Sequence, residues 1–286
     1  MWIISSGLTA TQAKAGNLRD WVEDTFGAVE IQETQQEVGC TVDGVWRPGL
    51  YYDEDIIRGL STTPVELRLA EQVLLLLTQR LDELLLFVEP TAGTLPTHGH
   101  KARELLILAC MEVESYWKHW MRKAEVHAPQ NDIFTTNQYI RLLAPLHLDE
   151  FEVTLPRYAE VPPVRPFHGW SRLPSPTQTL PWYDAYNKTK HDRVANFSDA
   201  SLWNCIQAVS ANIVLFSVRF GPFRLFHGEG ALATLFNQTF SMELRDAVPT
   251  SFYAPLIRIP ENQTPGLVCF ESRELTEPRQ VTPLVV

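Results

Sequence analysis

The densest run of chemically capable residues in this chain is Trp182–Arg193, WYDAYNKTKHDR. On a helix, Asn187 and His191 stand four apart and share a face, with Tyr183, Tyr186 and Lys190 on or near it. Asp184, Lys188 and Asp192 follow at the same spacing, which suits side-chain ion pairs. Lys190, Asp192 and Arg193 surround His191 with charges of both signs. An imidazole so placed can do acid–base work near neutral pH. An amide one turn earlier could orient either the ring or a substrate. The same spacing also describes a solvated helix face, with Asn187 and His191 tying the helix to its neighbours.

A second group is CMEVESYWKHW, residues 110–120. Glu112 falls on the expected apolar face near Cys110, Met111 and Trp117, and a carboxylate there needs a partner. Lys188, Lys190, His191 or Arg193 could supply one if the two helices pack together. Glu114 reads as an ordinary exposed glutamate. Trp117-Lys118-His119-Trp120 could stack on and charge-pair with RNA, although tryptophans at this spacing more often belong to a core. His98 and His100 form an H-G-H pair in a loop with no further ligand nearby in sequence, so no metal site is assigned. The chain has no GxxxxGK[ST], GxGxxG or GxSxG motif.

The elements that must position these groups are mainly helical. Residues 63–89 give the clearest helix: Thr63 as N-cap, Pro64 in the first turn and Glu66 completing a capping box. Pro90 and Gly93 end it. Residues 101–124 form a second long helix, and the Pro/Gly loop between them predicts an antiparallel pair. A shorter helix at Thr136–Leu143 begins with another capping box, Thr135 with Gln138. Phe151, Val153 and Leu155 alternate as in a short strand. Seven prolines then fall between 156 and 181, which excludes a helix and predicts an ordered, extended crossing over the helices. Helical composition returns over 182–195. Ser198 is the expected cap of a fourth long helix, which ends at Gly221-Pro222.

The ends are less patterned. An early helix is expected around Thr9–Phe26, and Val42-Asp43-Gly44-Val45 carries a hairpin turn signal. Beyond 222, β-like runs at Leu256–Ile259 and Leu267–Phe270 alternate with prolines. The expected architecture is an antiparallel helical bundle with small β-containing N- and C-terminal embellishments. The N-terminal embellishment covers 1–60, the bundle 61–221 with its proline-rich crossing at 151–181, and the C-terminal appendage 222–286.

Composition narrows the function classes. A net charge of −10 repels phosphate over most of the surface, so only a local nucleic-acid site is compatible with it. The four cysteines, at 40, 110, 205 and 269, lack metal-ligand spacing and predict no disulfide framework, as in a reducing compartment. The opening MWIISSGLTATQAK lacks the pattern of a signal peptide. The most apolar segments, Val73–Val88 and Ala208–Phe223, carry too many polar residues for a membrane span. These features predict a soluble, cytoplasmic protein without a cofactor.

Two long helices followed by a later helix with a polar motif ending in His resemble the HEPN superfamily. Its motif is an Arg, four to six residues, then a His, often with a polar residue just after the Arg. Here Asn187 takes the place of that polar residue, four before His191, and Tyr186 stands where the Arg would be. The sequence Tyr186-Asn187-Lys188-Thr189-Lys190-His191 also resembles a group of uncharacterised bacterial helical proteins. The resemblance covers residues 63–220. It implies a metal-independent ribonuclease, or an inactive relative, in a toxin–antitoxin or phage-defence setting. It also implies a homodimer with the motif helices facing each other. In that reading His191 is the general acid or base and Asn187 orients substrate or imidazole. Lys188, Lys190 and Arg193, with Tyr186, bind the phosphate in place of the missing Arg, while Glu112 and Asp192 support them. The alternative is a non-enzymatic protein-interaction or nucleotide-binding scaffold.

Overall fold

The computed structural model describes residues 2–4, 20, 23–24, 27–37, 39–51, 53–128, 133–192, 194–258, 268–270 and 280–286. The chain divides into two compact units. One joins residues 1–62 to 247–282, and the other holds 63–246 with 283–286.

The first unit pairs strands from both ends of the chain. Here β1 is Trp2–Ile4, β2 Glu30–Gln32 and β3 Cys40–Val42; β4 (Phe151–Thr154) and β5 (Ser241–Leu244) belong to the second unit. β6 is Leu256–Arg258, β7 Val268–Phe270 and β8 Gln280–Thr282. β1 pairs with β7 and β3 with β8 in parallel, and β2 with β6 antiparallel. One helix, α1 (Asp53–Gly59), accompanies them. The Asp43-Gly44 turn forms, with Gly44 at φ 72° and the Val45 amide donating to the Val42 carbonyl at 3.1 Å. Buried Arg47 donates twice to Ser251 Oγ, at 3.1 and 2.7 Å, and lies over the Phe252 ring. The expected helix around Thr9–Phe26 lies largely outside the described residues, as do Ile259 and Leu267 of the two β-like runs.

The second unit is mainly α-helical. Its long helices are α2 (Pro64–Phe87), α3 (His100–Lys123) and α6 (Leu202–Phe220). The shorter ones are α4 (Thr136–Tyr139), α5 (Pro181–His191), α7 (Phe223–Phe226) and α8 (Ala231–Thr239). Both predicted capping boxes form, Thr63 with Glu66 and Thr135 with Gln138. α6 starts later than expected. Phe197–Asp199 makes a short 3-10 turn containing Ser198, and Ser201 is the residue whose hydroxyl accepts from the Asn204 amide. α6 is buried along almost its whole length and packs against α2, α3 and α5. α3 and α6 run in the same direction, because Cys205 Sγ reaches the Ala102 carbonyl and Asn212 Nδ2 the Ala109 carbonyl.

The region after 222 is more helical than its sequence suggests, with α7 and α8 both packing in this unit. β5 (Ser241–Leu244) then pairs antiparallel with β4 (Phe151–Thr154). The proline-rich crossing is pinned as expected. Val153 and Val164 exchange backbone hydrogen bonds of 2.8 Å. Trp170 Nε1 donates to the Pro176 carbonyl and Trp182 Nε1 to the Pro166 carbonyl. Proline has no amide to donate but keeps its acceptor, and these indoles use it. Among the described residues no helix is long and apolar enough to cross a membrane.

Candidate functional site

α5 begins with Pro181 in its first turn, where a missing amide costs nothing. Trp182, Tyr183, Ala185, Tyr186 and Thr189 are buried, and these positions define one inner face. That face meets a stripe of α3 spaced at helical periods: Arg103, Cys110, Glu114 and Trp117. Trp117 is fully buried against Trp182 and Tyr183, with ring centroids 6.5 and 5.2 Å apart, and stacks on Trp170 at 5.1 Å. Trp117 and Trp120 are therefore core residues and not an RNA-stacking surface.

The inner face is also tied by polar groups. Tyr183 Oη donates to Glu114 Oε1 at 2.8 Å. Burial, with the Glu114 carboxylate beside it, pushes the Tyr183 phenol far above its usual range. Lys190 Nζ donates to Tyr186 Oη at 2.9 Å and sits 5.0 Å from the centre of that ring. The hydrogen bond to Tyr186 raises the Lys190 pKa and keeps the amine charged. Arg103 Nη2 donates to the Thr189 carbonyl at 3.1 Å, placing a cation at the negative end of α5. Replacing Tyr183 by phenylalanine should remove one bond to a charged acceptor. A loss of about 1.5–3 kcal/mol in chemical denaturation is expected.

The outer edge differs. Asn187 is half-buried, His191 is exposed, and neither side chain makes a hydrogen bond among the described residues. Lys188 is paired with Asp184 at 2.7 Å, and that bond raises its pKa. Asp192 leaves the helix in extended geometry, and its Oδ1 accepts from the Val194 and Ala195 amides. The helix thus stops at His191 and does not run on to 195. Arg193 lies outside the described residues.

The expectation for Glu112 needs correction. Two residues along a helix turn the side chain by about 200°, so Glu112 and Glu114 point to opposite sides of α3. Glu114, read from sequence as an ordinary exposed glutamate, faces α5. Glu112 faces Arg219 near the end of α6, where burial raises its pKa and Arg219 opposes the shift. Arg219 in turn donates to Glu66 Oε1 at 2.8 Å. Burial alone would raise Glu66, but the Thr63 hydroxyl, Arg219 and the Thr63 amide together hold it below the usual range. The two carboxylates have opposite linkage signs. The stability Glu66 supplies is present above its unfolded pKa and is lost as pH falls. The raised Glu112 favours the fold below its unfolded pKa, and that advantage is lost as pH rises through its folded value. Glu112→Gln is therefore expected to melt higher than the native chain at pH 7, with the gap closing at pH 4. A gap that widens on acidification would contradict this.

The signal for Glu114 was available in its spacing from Cys110 and Trp117. Arg103 continues the same stripe one heptad before Cys110, but nothing local marks it as a cap for a helix some eighty residues later. His98 and His100 both pack against the Phe197 ring, at 5.7 and 4.9 Å. No group of three or more His, Cys, Asp or Glu side chains able to hold a metal ion occurs among the described residues. The Cys110 and Cys205 thiols are raised by burial, Cys205 to about 12, which suits core packing and not nucleophilic chemistry. No family model, curated protein or solved structure matches the chain.

Proposed function

We propose that this chain is a HEPN-like protein that handles RNA at the outer edge of α5. His191 acts as general acid or base at the ribose 2′-hydroxyl, and Asn187 orients the phosphate or the imidazole. The observation that carries this reading is the division of α5 into two faces. Its inner face has its polar groups satisfied by Glu114, Arg103 and Tyr186, whereas Asn187 and His191 point outward with no hydrogen bond among the described residues. A latch would have used those two side chains; here other residues do the latching.

The charge pattern sets the expected strength. Lys188 is offset by Asp184 and Lys190 is held at Tyr186, so few cations remain for phosphate. Binding should be modest and should fall with salt along a shallow slope. With purified chain and single-stranded RNA, His191→Ala is expected to lower cleavage by about 10²–10⁴-fold with an unchanged melting temperature. Asn187→Ala should have a smaller effect in the same direction, and cleavage should survive EDTA. Undiminished cleavage by His191→Ala would remove the catalytic assignment. Binding without cleavage by the native chain would identify an inactive RNA-binding relative.

The tied inner face supports a second reading, a non-enzymatic scaffold whose α5 edge contacts a protein or a nucleotide. In that case RNA would neither bind nor be cleaved, and His191→Ala would alter only partner or nucleotide binding.

A further inference from the structure

α8 packs against both α2 and α7. One stripe of α2, Arg68, Glu71, Gln72 and Leu75, falls at the spacing of a single helical face. Between that stripe and the loop joining α7 to α8 lies a cavity of about 320 Å³. Small-ligand sites run from about 300 to 1,000 Å³, so this one suits a small molecule. Gly228 shapes its wall: a side chain there would overlap the Arg224 carbonyl and crowd Ala233, so glycine lets the loop close on α7.

Each wall carries one cation and one anion. α2 presents Arg68 and Glu71, while α7 and the loop present Arg224 and Glu229. The two carboxylates are not used inside the chain. Neither Glu71 nor Glu229 has an ion-pair or hydrogen-bond partner among the described residues, and Glu71 is half-buried. Arg68 makes one long hydrogen bond, to Gln72 Oε1 at 3.4 Å. A carboxylate drawn partly out of water without a partner is unfavourable, and a bound cation would offset that.

We infer that this cavity binds a small zwitterion, an aliphatic α-amino acid, with its carboxylate between Arg68 and Arg224 and its ammonium at Glu71. Charges of both signs select the class. A simple anion would leave Glu71 unpaired beside it, and a simple cation would lie against two guanidinium groups. The spacing selects an α-amino acid over a longer zwitterion. Arg68 and Glu71 stand about 4.5 Å apart along the helix axis, and an α-amino acid carries its two charged groups on one carbon, so a single small molecule reaches both. Leu75 from α2 and Leu232 from α8 line the same cavity and would receive the aliphatic side chain. The site does not involve α5 and stands independently of the RNA reading.

The test is a ligand-observed NMR titration of the full chain with L-leucine, with isocaproate, which lacks the amine, and with isoamylamine, which lacks the carboxylate. Leucine is expected to bind with a Kd of about 1 mM or tighter, and each analogue at least about tenfold more weakly. Glu71→Gln should weaken leucine about tenfold and leave isocaproate unchanged. Arg68→Gln should weaken leucine and leave isoamylamine unchanged. Melting curves confirm that both variants fold; if one does not, the comparison of the three probes on the native chain still decides. No leucine binding at about 10 mM overturns the inference. So does an analogue that matches leucine, isocaproate marking a plain anion site and isoamylamine a plain cation site. Leucine binding that either folded variant leaves unchanged overturns the assignment to this cavity.

Discussion

Trp117→Ala is expected to destabilise the helical unit by about 3–5 kcal/mol, which for a chain of this size lowers the melting temperature by about 6–20 °C. Trp117 is fully buried and touches the rings of Tyr139, Phe167, Trp170, Trp182 and Tyr183. It therefore joins α3 to α4, to the proline-rich crossing and to α5 at one point. Truncation removes the transfer energy of an indole and leaves a cavity between elements that cannot all close in on it. It also removes ring–ring contacts worth about 0.5–1.5 kcal/mol beyond their buried area. The Trp117 Nε1 has no hydrogen-bond partner, so none of the loss would come from a broken polar contact. Trp117→Phe, which keeps a ring in place, should recover a large part of it. Thermal melting followed by circular dichroism checks both variants. A shift below about 2 °C for the alanine variant would mean that this cluster does not hold the helices together. Because α5 rests on Trp117, the alanine variant should also disorder the Asn187–His191 edge, whereas His191→Ala should leave stability untouched.

Asn212→Asp is the second large effect. Asn212 is buried in the middle of α6, and its Nδ2 donates to the Ala109 carbonyl at 3.0 Å and the Ala208 carbonyl at 2.8 Å. Aspartate at this position would set a carboxylate oxygen against two carbonyl oxygens in a dry core. An uncompensated buried charge of this kind costs about 3–5 kcal/mol. The fold would drive the new carboxyl to its protonated form, so its folded pKa would be raised. The sign follows from linkage. The defect should be smallest below the ordinary aspartate range and should grow as pH rises through the folded value. Asn212→Leu loses both hydrogen bonds but buries no charge, and should show a smaller defect that does not change with pH. Melting at pH 4 and pH 8 separates the two. A deficit for Asn212→Asp that is the same at both would sink the argument.

Much of the helical unit was legible because it rests on local rules. The capping box at Thr63 and Glu66 and the stop at Gly221 are set by contacts or chain restrictions close in sequence, and the core tryptophans and the proline-rich crossing showed in residue type alone. Where the reading missed, a distant partner had decided. Ser198 looked like the cap of α6, but the chain at Ser201–Trp203 is tied to residues 95–98 of the loop before α3, and the helix starts after Ser201. α7 and α8 were hidden in an appendage expected to contain strands, and α8 packs against α2 and α7. Glu112 looked like the partner of the α5 lysines because it lay near an apolar face; the rotation of α3 gave that position to Glu114.

For the candidate site, the sequence by itself determined which helix carries the polar chemistry, the four-residue phase of Asn187 and His191, and the absence of an arginine beside them. Those follow from residue identity and the 3.6-residue period. Only the tertiary structure decided which groups of α5 are spent on holding it and which remain outward. That choice depends on α3, whose Arg103 and Glu114 reach Thr189 and Tyr183 across 86 and 69 residues of chain, and the residues of α5 alone do not say which neighbour covers them.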